Sequence, residues 1–523
     1  MRSVLLLVAA SCTVAGSEPE RPAPLAALPP PAHVETDRFR DAEACAQCHL
    51  VDDTTAVLHD ATNTNVSPVL LWRSSLMANA ARDPYYLAVF SEELARAPER
   101  AAATEELCTR CHAPAASEEV ADKGGHISFA ELTAGTSDVG ALARGGVTCT
   151  LCHQITAASL EADSGFSGGF EVGYQRKIFG PYSNPTTSPM MLIVNFEPAY
   201  GAHITSSALC GSCHTVILPT ASGEIVEQAT YLEWRASEFV AKGQTCQSCH
   251  VPTVDHQGSV ISTPVASTPA TLAPRQPVGN HTFVGGNSYV LRLLADAVDW
   301  SGANVAASEF LAAADRDDEH LRGAAKLSVV AARREGESIV TTIRVENLTG
   351  HKLPTGYPSR RVWLHVTARA GDAVVFESGR EPLSAQPHSD EITAPDQTQI
   401  WEAQLVDVTG APTHRALDAR RYSKDNRILP KGYNPTGADR LRTASVGVSN
   451  DASFVPGSDD ITYRFAAPAG TTLDIELLYQ AIRPEIVDAI EASATPAGSR
   501  FVDLARARPV TPVVMARTTA PAL

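Results

Sequence analysis

The sequence lacks two features that define common classes of protein. Beyond a short apolar run at the N-terminus, no stretch is long and apolar enough for a transmembrane helix. Basic residues are also few, with 42 Lys and Arg against 59 Asp and Glu and a net charge of −17. This balance argues against a nucleic-acid-binding protein and is typical of a well-solvated acidic surface.

Cysteine is scarce as well, and its placement leaves none for structural disulfides. The sequence holds 11 cysteines, of which Cys12 lies near the N-terminus and the others form five copies of the pattern C-x-x-C-H. The copies are Cys45 to His49, Cys108 to His112, Cys149 to His153, Cys210 to His214 and Cys246 to His250. Neither a disulfide framework nor a zinc ribbon requires a His directly after each second Cys. The pattern is instead the attachment signature of haem c.

The five motifs therefore predict five covalently bound haem c groups. Two intervening residues place both sulfurs on one edge of a single turn, and the His that follows is aimed at the iron. The predicted attachment residues are Cys45, Cys48, Cys108, Cys111, Cys149, Cys152, Cys210, Cys213, Cys246 and Cys249. The predicted proximal iron ligands are His49, His112, His153, His214 and His250.

The N-terminal segment has the composition of an export signal. A basic residue, a short apolar run and small residues fill residues 1–16, and Cys12 stands where a lipoprotein signal would place its acylated residue. Removal after Gly16 by an ordinary signal peptidase is the alternative. Either way we expect an exported protein in the periplasm or at the outer-membrane surface, with any membrane attachment through lipidated Cys12. The Pro-rich residues 17–40 predict a stiff extended tether.

The rest of the chain predicts an α+β multidomain architecture. Residues 41–300 hold all five motifs in a loop-rich, partly helical cytochrome domain, with helices near 68–82, 84–96, 228–241 and 288–299. Residues 252–279 are rich in Pro, Ser and Thr, which indicates a linker or a wrap over the haem region. Residues 301–325 predict a linker or helical connection.

After residue 326 the hydrophobic pattern changes to period two. Alternating segments at 339–345, 362–366, 374–376, 400–406, 461–465 and 473–477 predict strands with one buried face. We interpret residues 326–515 as an immunoglobulin-like antiparallel β-sandwich of roughly seven strands without its disulfide.

Six segments together resemble bacterial multihaem c-type cytochromes of the cytochrome c-554-like group. They are 72–86 (WRSSLMANAARDPYY), 146–153 (GVTCTLCH), 206–214 (SSALCGSCH), 227–237 (EQATYLEWRAS), 281–287 (HTFVGGN) and 347–363 (NLTGHKLPTGYPSRRVW). The resemblance runs from about residue 41 to 490. It implies electron transfer, and it favours His203 as an iron ligand.

The sixth position on each iron decides between electron transfer and substrate chemistry, because an open position permits substrate binding. Met77 is a candidate distal ligand, since Ser74, Ala80 and Ala81 would share its helix face and let a flat ring approach. His281 precedes two glycines that permit close approach. The other candidates are His203 and His351, with His59 and His126 as weaker ones. Surface or structural roles are expected for His256, His320, His365, His388 and His414.

Three functions remain open at this stage. The first is an electron carrier that relays electrons through closely spaced haems to a redox partner protein. The second is a multihaem oxidoreductase that acts on a small nitrogen or sulfur compound at one five-coordinate haem. The third is docking or assembly through the β-sandwich. The presence of a His in every motif and the supply of candidate distal ligands favour the first.

Overall fold

The computed structural model describes residues 21–220, 223–520 and 523, so the predicted signal peptide and Cys12 lie outside the described residues. The part of the chain that carries the five motifs is built from short helices and long irregular connections. Its helices are α1 (Glu43–His49), α2 (Pro68–Arg73), α3 (Pro84–Arg96), α4 (Ala101–His112), α5 (Pro114–Ala121), α6 (Phe129–Ala134), α7 (Asp138–Arg144), α8 (Cys149–Cys152), α9 (Ser188–Ile193), α10 (Ser207–Gly211), α11 (Thr230–Arg235), α12 (Glu238–Ala241), α13 (Cys246–His250), α14 (Ser288–Asp296), α15 (Val298–Ser301) and α16 (Ala307–Arg322). Two small two-stranded sheets accompany them, β1 (Lys177–Gly180) with β2 (Glu197–Tyr200) and β3 (Val216–Thr220) with β4 (Gly223–Gln228).

The first two predicted helices had different outcomes. The helix predicted over 84–96 is confirmed as α3, which begins at Pro84 because the Asp83 carboxylate accepts hydrogen bonds from the backbone N–H groups of Tyr85 and Tyr86. The helix predicted over 68–82 is wrong beyond Arg73, where α2 ends. The Ser74 and Ser75 hydroxyls donate to carbonyls of the preceding turn, and this competition favours turns over a continued helix.

The described part of the Pro-rich segment is extended but packs on the body of the protein. Leu28, Val34 and Phe39 are buried in a cluster with side chains of the motif region. The backbone N–H of Leu28 donates to the Trp300 carbonyl, and Arg21 forms an ion pair with Asp503. The prediction of a free tether over residues 17–40 is therefore wrong for residues 21–40, because their apolar side chains have a surface to cover.

The two predicted connections also pack closely. Residues 252–279 wrap over the first motif, where the Ser267 N–H donates to the Cys48 carbonyl and the Val265 carbonyl meets His49. The segment 301–325 is mostly the helix α16, in agreement with a helical connection. Its Phe310 and Ala314 are buried against α14.

The C-terminal region contains the following elements: β5 (Ala325–Glu335), β6 (Ser338–Asn347), β7 (Arg361–Ala370), β8 (Ala373–Ser378), β9 (Glu391–Ile392), β10 (Ile400–Val406), β11 (Pro412–Thr413), β12 (Arg421–Asp425), α17 (Arg440–Thr443), β13 (Ser458–Ala466), β14 (Thr472–Gln480), α18 (Pro484–Ser493), α19 (Pro496–Ala507) and β15 (Val513–Ala520). Single 3₁₀ turns occur at Pro98–Arg100, Asp163–Gly165, Ala202–Thr205 and Ala416–Asp418. All six strands predicted from period two are confirmed in position. The strands β5, β9, β11, β12 and β15 and the helices α18 and α19 were not predicted.

Two sheets form a sandwich, as predicted. One has the order β11-β10-β7-β14-β15, with β12 also paired to β10 and β8 to β7, and the other has the order β5-β6-β13-β9. Side chains from both, such as Ile343, Leu364, Ile461 and Leu477, pack in one buried cluster. The arrangement departs from a plain immunoglobulin-like sandwich because β9 pairs parallel to β13 and two helices precede β15.

The sandwich and the motif region share one hydrophobic core. The cluster between the sheets also contains Tyr85 and Ala88 of α3 and Leu293 of α14. The Tyr85 ring lies 5.3 Å from the ring of Phe501 in α19. The helix α3, which follows the turn segment at Met77, is therefore fixed between the two regions.

Candidate haem-binding centre

Each motif lies in a helical turn, and the turns of the third, fourth and fifth motifs begin at side-chain caps in their own sequence. The Thr148 hydroxyl caps α8 by accepting from the Leu151 N–H, and the Ser206 hydroxyl caps α10 by accepting from the Ala208 N–H. Thr245 and Ser248 form a reciprocal capping box at α13. In the helical geometry of these turns, the two Cys side chains and the following His share one face.

All five motifs meet at one cavity of about 1410 Å³. Every motif His and all ten attachment cysteines line this cavity, and its largely apolar wall also includes Trp72, Tyr86, Phe179 and Phe283. Protein interiors are close-packed and contain few voids larger than a water molecule, so a largely apolar cavity of this size is far outside what side-chain packing alone leaves. The cavity therefore has the size and the apolar lining of a site built around bound groups.

The motif imidazoles are oriented and neutral, as iron ligands must be. The Nδ1 atoms of four of them meet backbone carbonyl oxygens at 2.6–2.9 Å, which directs Nε2 into the cavity: His49 with Val265, His112 with Ala80, His153 with Phe179 and His250 with Val284. Burial lowers the pKa of all five, to about 4 for His112 and His214. Neutral imidazole is the form that binds a metal.

Two of the predicted distal ligands face motif imidazoles at the distance that one shared iron requires. An imidazole nitrogen binds a first-row metal at about 2.0 Å, so two rings on opposite sides of one ion have centroids roughly 6.3 Å apart. The centroids of His153 and His281 are 6.3 Å apart, and those of His250 and His351 are 6.4 Å apart. His281 and His351 also turn their Nδ1 atoms to backbone carbonyls. These two pairs fit haem groups with two imidazole ligands.

The other distal candidates have different surroundings. Met77 lies in the cavity wall, in a turn rather than in the predicted helix. His203 is absent from the described wall, and its Nε2 lies 2.8 Å from the Ile155 carbonyl oxygen. His59 meets the Val57 carbonyl and His126 meets Glu105, both away from the cavity. None of the three belongs to the described cavity wall, so ligation by His203, His59 or His126 stays a prediction.

His320 is a cavity residue that sequence reasoning missed. It was expected at the surface or in a structural role, yet it lies in the cavity wall with its ring centroid 5.2 Å from that of His250. The signal that could have found it is the buried face of α16, which includes Phe310, Ala313, Asp317 and Leu321 and on which residue 320 also falls. Among the described residues, no second imidazole ring contacts those of His49, His112 or His214. Tyr86 instead stacks on His112, with centroids 3.7 Å apart.

The attachment cysteines form one continuous array. Contact with Cys45 raises the pKa of the Cys149 thiol, contact with Cys213 raises that of Cys111, and contact with Cys246 raises that of Cys210. Burial raises the pKa of the Cys152 thiol to about 12, and the nearby Cys213 adds to the effect. In space the first motif therefore meets the third, the third meets the fourth, and the fourth meets both the second and the fifth.

Buried carboxyl groups line the cavity near the second motif. Burial raises the pKa of Asp83 to about 6 and that of Glu93 and Glu227 to about 7. One Glu227 oxygen has no hydrogen-bond partner, and Glu227 is among the groups that raise the thiol pKa of Cys108 and Cys111. The second motif thus lies in a part of the cavity that can hold protons near neutral pH.

The fold resembles that of a solved multihaem cytochrome, and the five converging C-x-x-C-H sites have the residues that haem c attachment requires. Among solved structures, the chain is similar to a penta-heme cytochrome c552 from Thermochromatium tepidum, with a TM-score of 0.55 and 17% sequence identity. The match covers 93% of this chain and 99% of that protein, so it includes both the motif region and the sandwich. No family model and no curated protein matches the sequence.

Proposed function

We propose that this protein is an exported pentahaem c-type cytochrome that relays electrons through five covalently bound haems. The observation that carries the proposal is that all five motifs line one cavity, with cysteines of neighbouring motifs near enough to shift one another's pKa. Haem iron supplies one-electron chemistry whose potential depends on its axial ligands. Close packing of such groups is what a relay requires.

The protein's own residues attach, orient and shield the haems. The ten motif cysteines hold the edges of the rings, and the motif imidazoles hold the iron from one side. His281 and His351 supply the opposite ligand at the third and fifth motifs, and the carbonyls that bind the Nδ1 atoms fix each ring. Two imidazoles on one iron give low-spin centres suited to electron transfer.

The fifth motif is the proposed point of exchange with a redox partner protein. Of the ten described cysteines, only Cys249 is exposed, so this end of the array reaches the surface. Export agrees with haem attachment outside the cytoplasm, and lipidated Cys12 would attach the protein to a membrane. In the described part of the chain, no helix combines the length and apolar character needed to cross a bilayer.

A second candidate function, oxidation or reduction of a small nitrogen or sulfur compound, is favoured by one observation. Among the described residues, no second imidazole faces the ring of His112 as His281 faces that of His153. Near His112 the cavity also offers the buried carboxyl groups of Glu93 and Glu227 for proton transfer. An open iron position there would make the second motif the reactive one.

A reductive titration with spin-state spectroscopy tests both candidates. We expect the purified protein to accept five electrons per chain, with low-spin signals from at least the third and fifth haems because each has two imidazole ligands. If every haem is low-spin and none binds cyanide, the relay is supported and the second candidate is excluded. A cyanide-binding high-spin haem would favour the second candidate, and fewer than five electrons would contradict the pentahaem relay.

A further inference from the structure

The fifth motif differs from the third in one respect. Beside its two facing imidazoles, His250 and His351, lies a third one, His320, that belongs to no motif. The ring of His320 lies 5.2 Å from that of His250, and the nearby His250 and His351 add to burial in lowering the pKa of His320 to about 4. At the third motif, the additional imidazole near the pair of His153 and His281 is that of His49. That residue belongs to the first motif, and its Nδ1 meets the Val265 carbonyl.

His351 and His320 are held very differently. The Nδ1 atom of His351 lies 2.9 Å from the Lys352 carbonyl oxygen and 3.2 Å from the Thr349 hydroxyl, so its ring is fixed. No hydrogen bond joins the His320 side chain to any part of the chain that the structure describes. His320 lies in the last turn of α16, three residues before Gly323, with its backbone anchored through the buried Leu321. Its side chain therefore has the freedom to turn toward the iron position, while its backbone stays in place.

The ring distances show which imidazole already lies where a sixth ligand of the iron would be. The 6.4 Å between the rings of His250 and His351 matches the roughly 6.3 Å expected for two ligands on one iron, whereas 5.2 Å is shorter than this by about an ångström. His351 is thus the ligand already in position. His320 needs a change of side-chain rotamer to reach the same distance, which is a small movement for a residue without hydrogen bonds.

We propose that His320 is an alternative sixth ligand of the iron at the fifth motif, able to replace His351. The proposal rests on the proposed function, since it requires haem at Cys246 and Cys249. A site with two competing imidazoles keeps its iron closed to small molecules even when one imidazole leaves. The fifth motif lies at the surface-exposed end of the array, so a closed iron there protects the haem that exchanges electrons with a partner from binding small molecules.

The test compares single and double variants of the full, haem-loaded protein by electron paramagnetic resonance and cyanide binding. We expect His351→Ala to stay low-spin because His320 takes the vacant position, and His320→Ala to stay low-spin through His351. The double variant, with both His320→Ala and His351→Ala, should gain one high-spin haem that binds cyanide. The control is His281→Ala, which should also gain one such haem, because the third motif has no free additional imidazole among the described residues.

Two results would overturn the proposal. One is a high-spin, cyanide-binding haem in His351→Ala itself, and the other is a double variant that remains low-spin through some other group. His351→Gln, which keeps a polar side chain in the turn, repeats the comparison in case the alanine variant folds poorly. Haem content by mass keeps the two proposals apart: a parent protein without haem at the fifth motif would contradict the pentahaem relay and the role of His320 together, whereas a parent with five haems whose His351→Ala variant turns high-spin would contradict the role of His320 alone.

Discussion

Produced in a host without haem-attachment enzymes, this chain will fail to fold in the region that carries the motifs. The central cavity of about 1410 Å³ is lined by residues from all five motifs and from the wrap at 252–279. Without bound groups, water would fill this space against a largely apolar wall, and the surrounding segments would lose most of the surface that they bury. The helices around it are too short to be stable on their own, since α8 and α13 have only four and five residues.

Near-ultraviolet circular dichroism and limited proteolysis measure this effect. The haem-loaded protein from a host with the attachment enzymes is the control and should resist proteolysis between residues 41 and 300. The haem-free chain should be cleaved rapidly there and should lose its near-ultraviolet signal. A haem-free chain with native protection in this region would show that side chains alone form the core.

Replacing Asp425 with alanine should lower the free energy of unfolding by about 3–5 kcal/mol, because it leaves the buried Lys352 ammonium without its carboxylate partner and Arg427 with Glu233 alone. The Asp425 carboxylate accepts hydrogen bonds from Lys352 at 2.7 Å and from Arg427 at 2.8 Å, and all three side chains are buried. Arg427 also pairs with Glu233 of α11 at 3.3 Å. The cluster therefore joins the sandwich to the motif region beside His351.

The same cluster gives the stability a dependence on pH. Burial alone would raise the pKa of Asp425, but the cations of Arg427 and Lys352 outweigh it and lower the pKa from 3.8 to about 2. Because the folded-state pKa is depressed, the contribution is present above about pH 4 and is lost as the pH falls toward 2. Its size is about 2 kcal/mol, at roughly 1.4 kcal/mol per pKa unit.

Chemical denaturation of the haem-loaded proteins measures how much free energy of unfolding Asp425→Ala loses, with Asp474→Ala as the matched control. Asp474 pairs with Arg369 at 3.6 Å on the surface, where both side chains are largely exposed, so its removal should change the stability by less than about 0.5 kcal/mol. Equal, small effects from the two substitutions would contradict the role assigned to the buried cluster.

The sequence was most informative where a signal is local. Each attachment motif is five consecutive residues, so its chemistry depends on one turn and can be read without knowing the fold. The strands at 339–345 and 461–465 have one face in the core and one outside, and the alternation of their residues follows from that burial. The helix α3 was predicted with its correct ends because Asp83 and Pro84 determine its start within two residues.

The sequence was least informative where distant segments decide the structure. Residues 74–82 end a helix because their hydroxyl and amide groups bond back to the chain, which composition does not reveal. Residues 21–40 have the composition of a tether, but their Leu28 and Phe39 side chains meet a surface made by other segments. His320 is 70 residues from His250 in the chain, so no spacing rule brings the two together.

Peptide mapping by mass spectrometry tests the central claim most directly. The protein is purified from a host that attaches haem, denatured in acid to remove any group that is not covalently bound, and digested. The relay predicts that each of the five peptides containing Cys45, Cys108, Cys149, Cys210 or Cys246 carries the added mass of one haem through its two thiols. Any of these peptides found with two free thiols in the fully loaded protein would contradict a pentahaem relay.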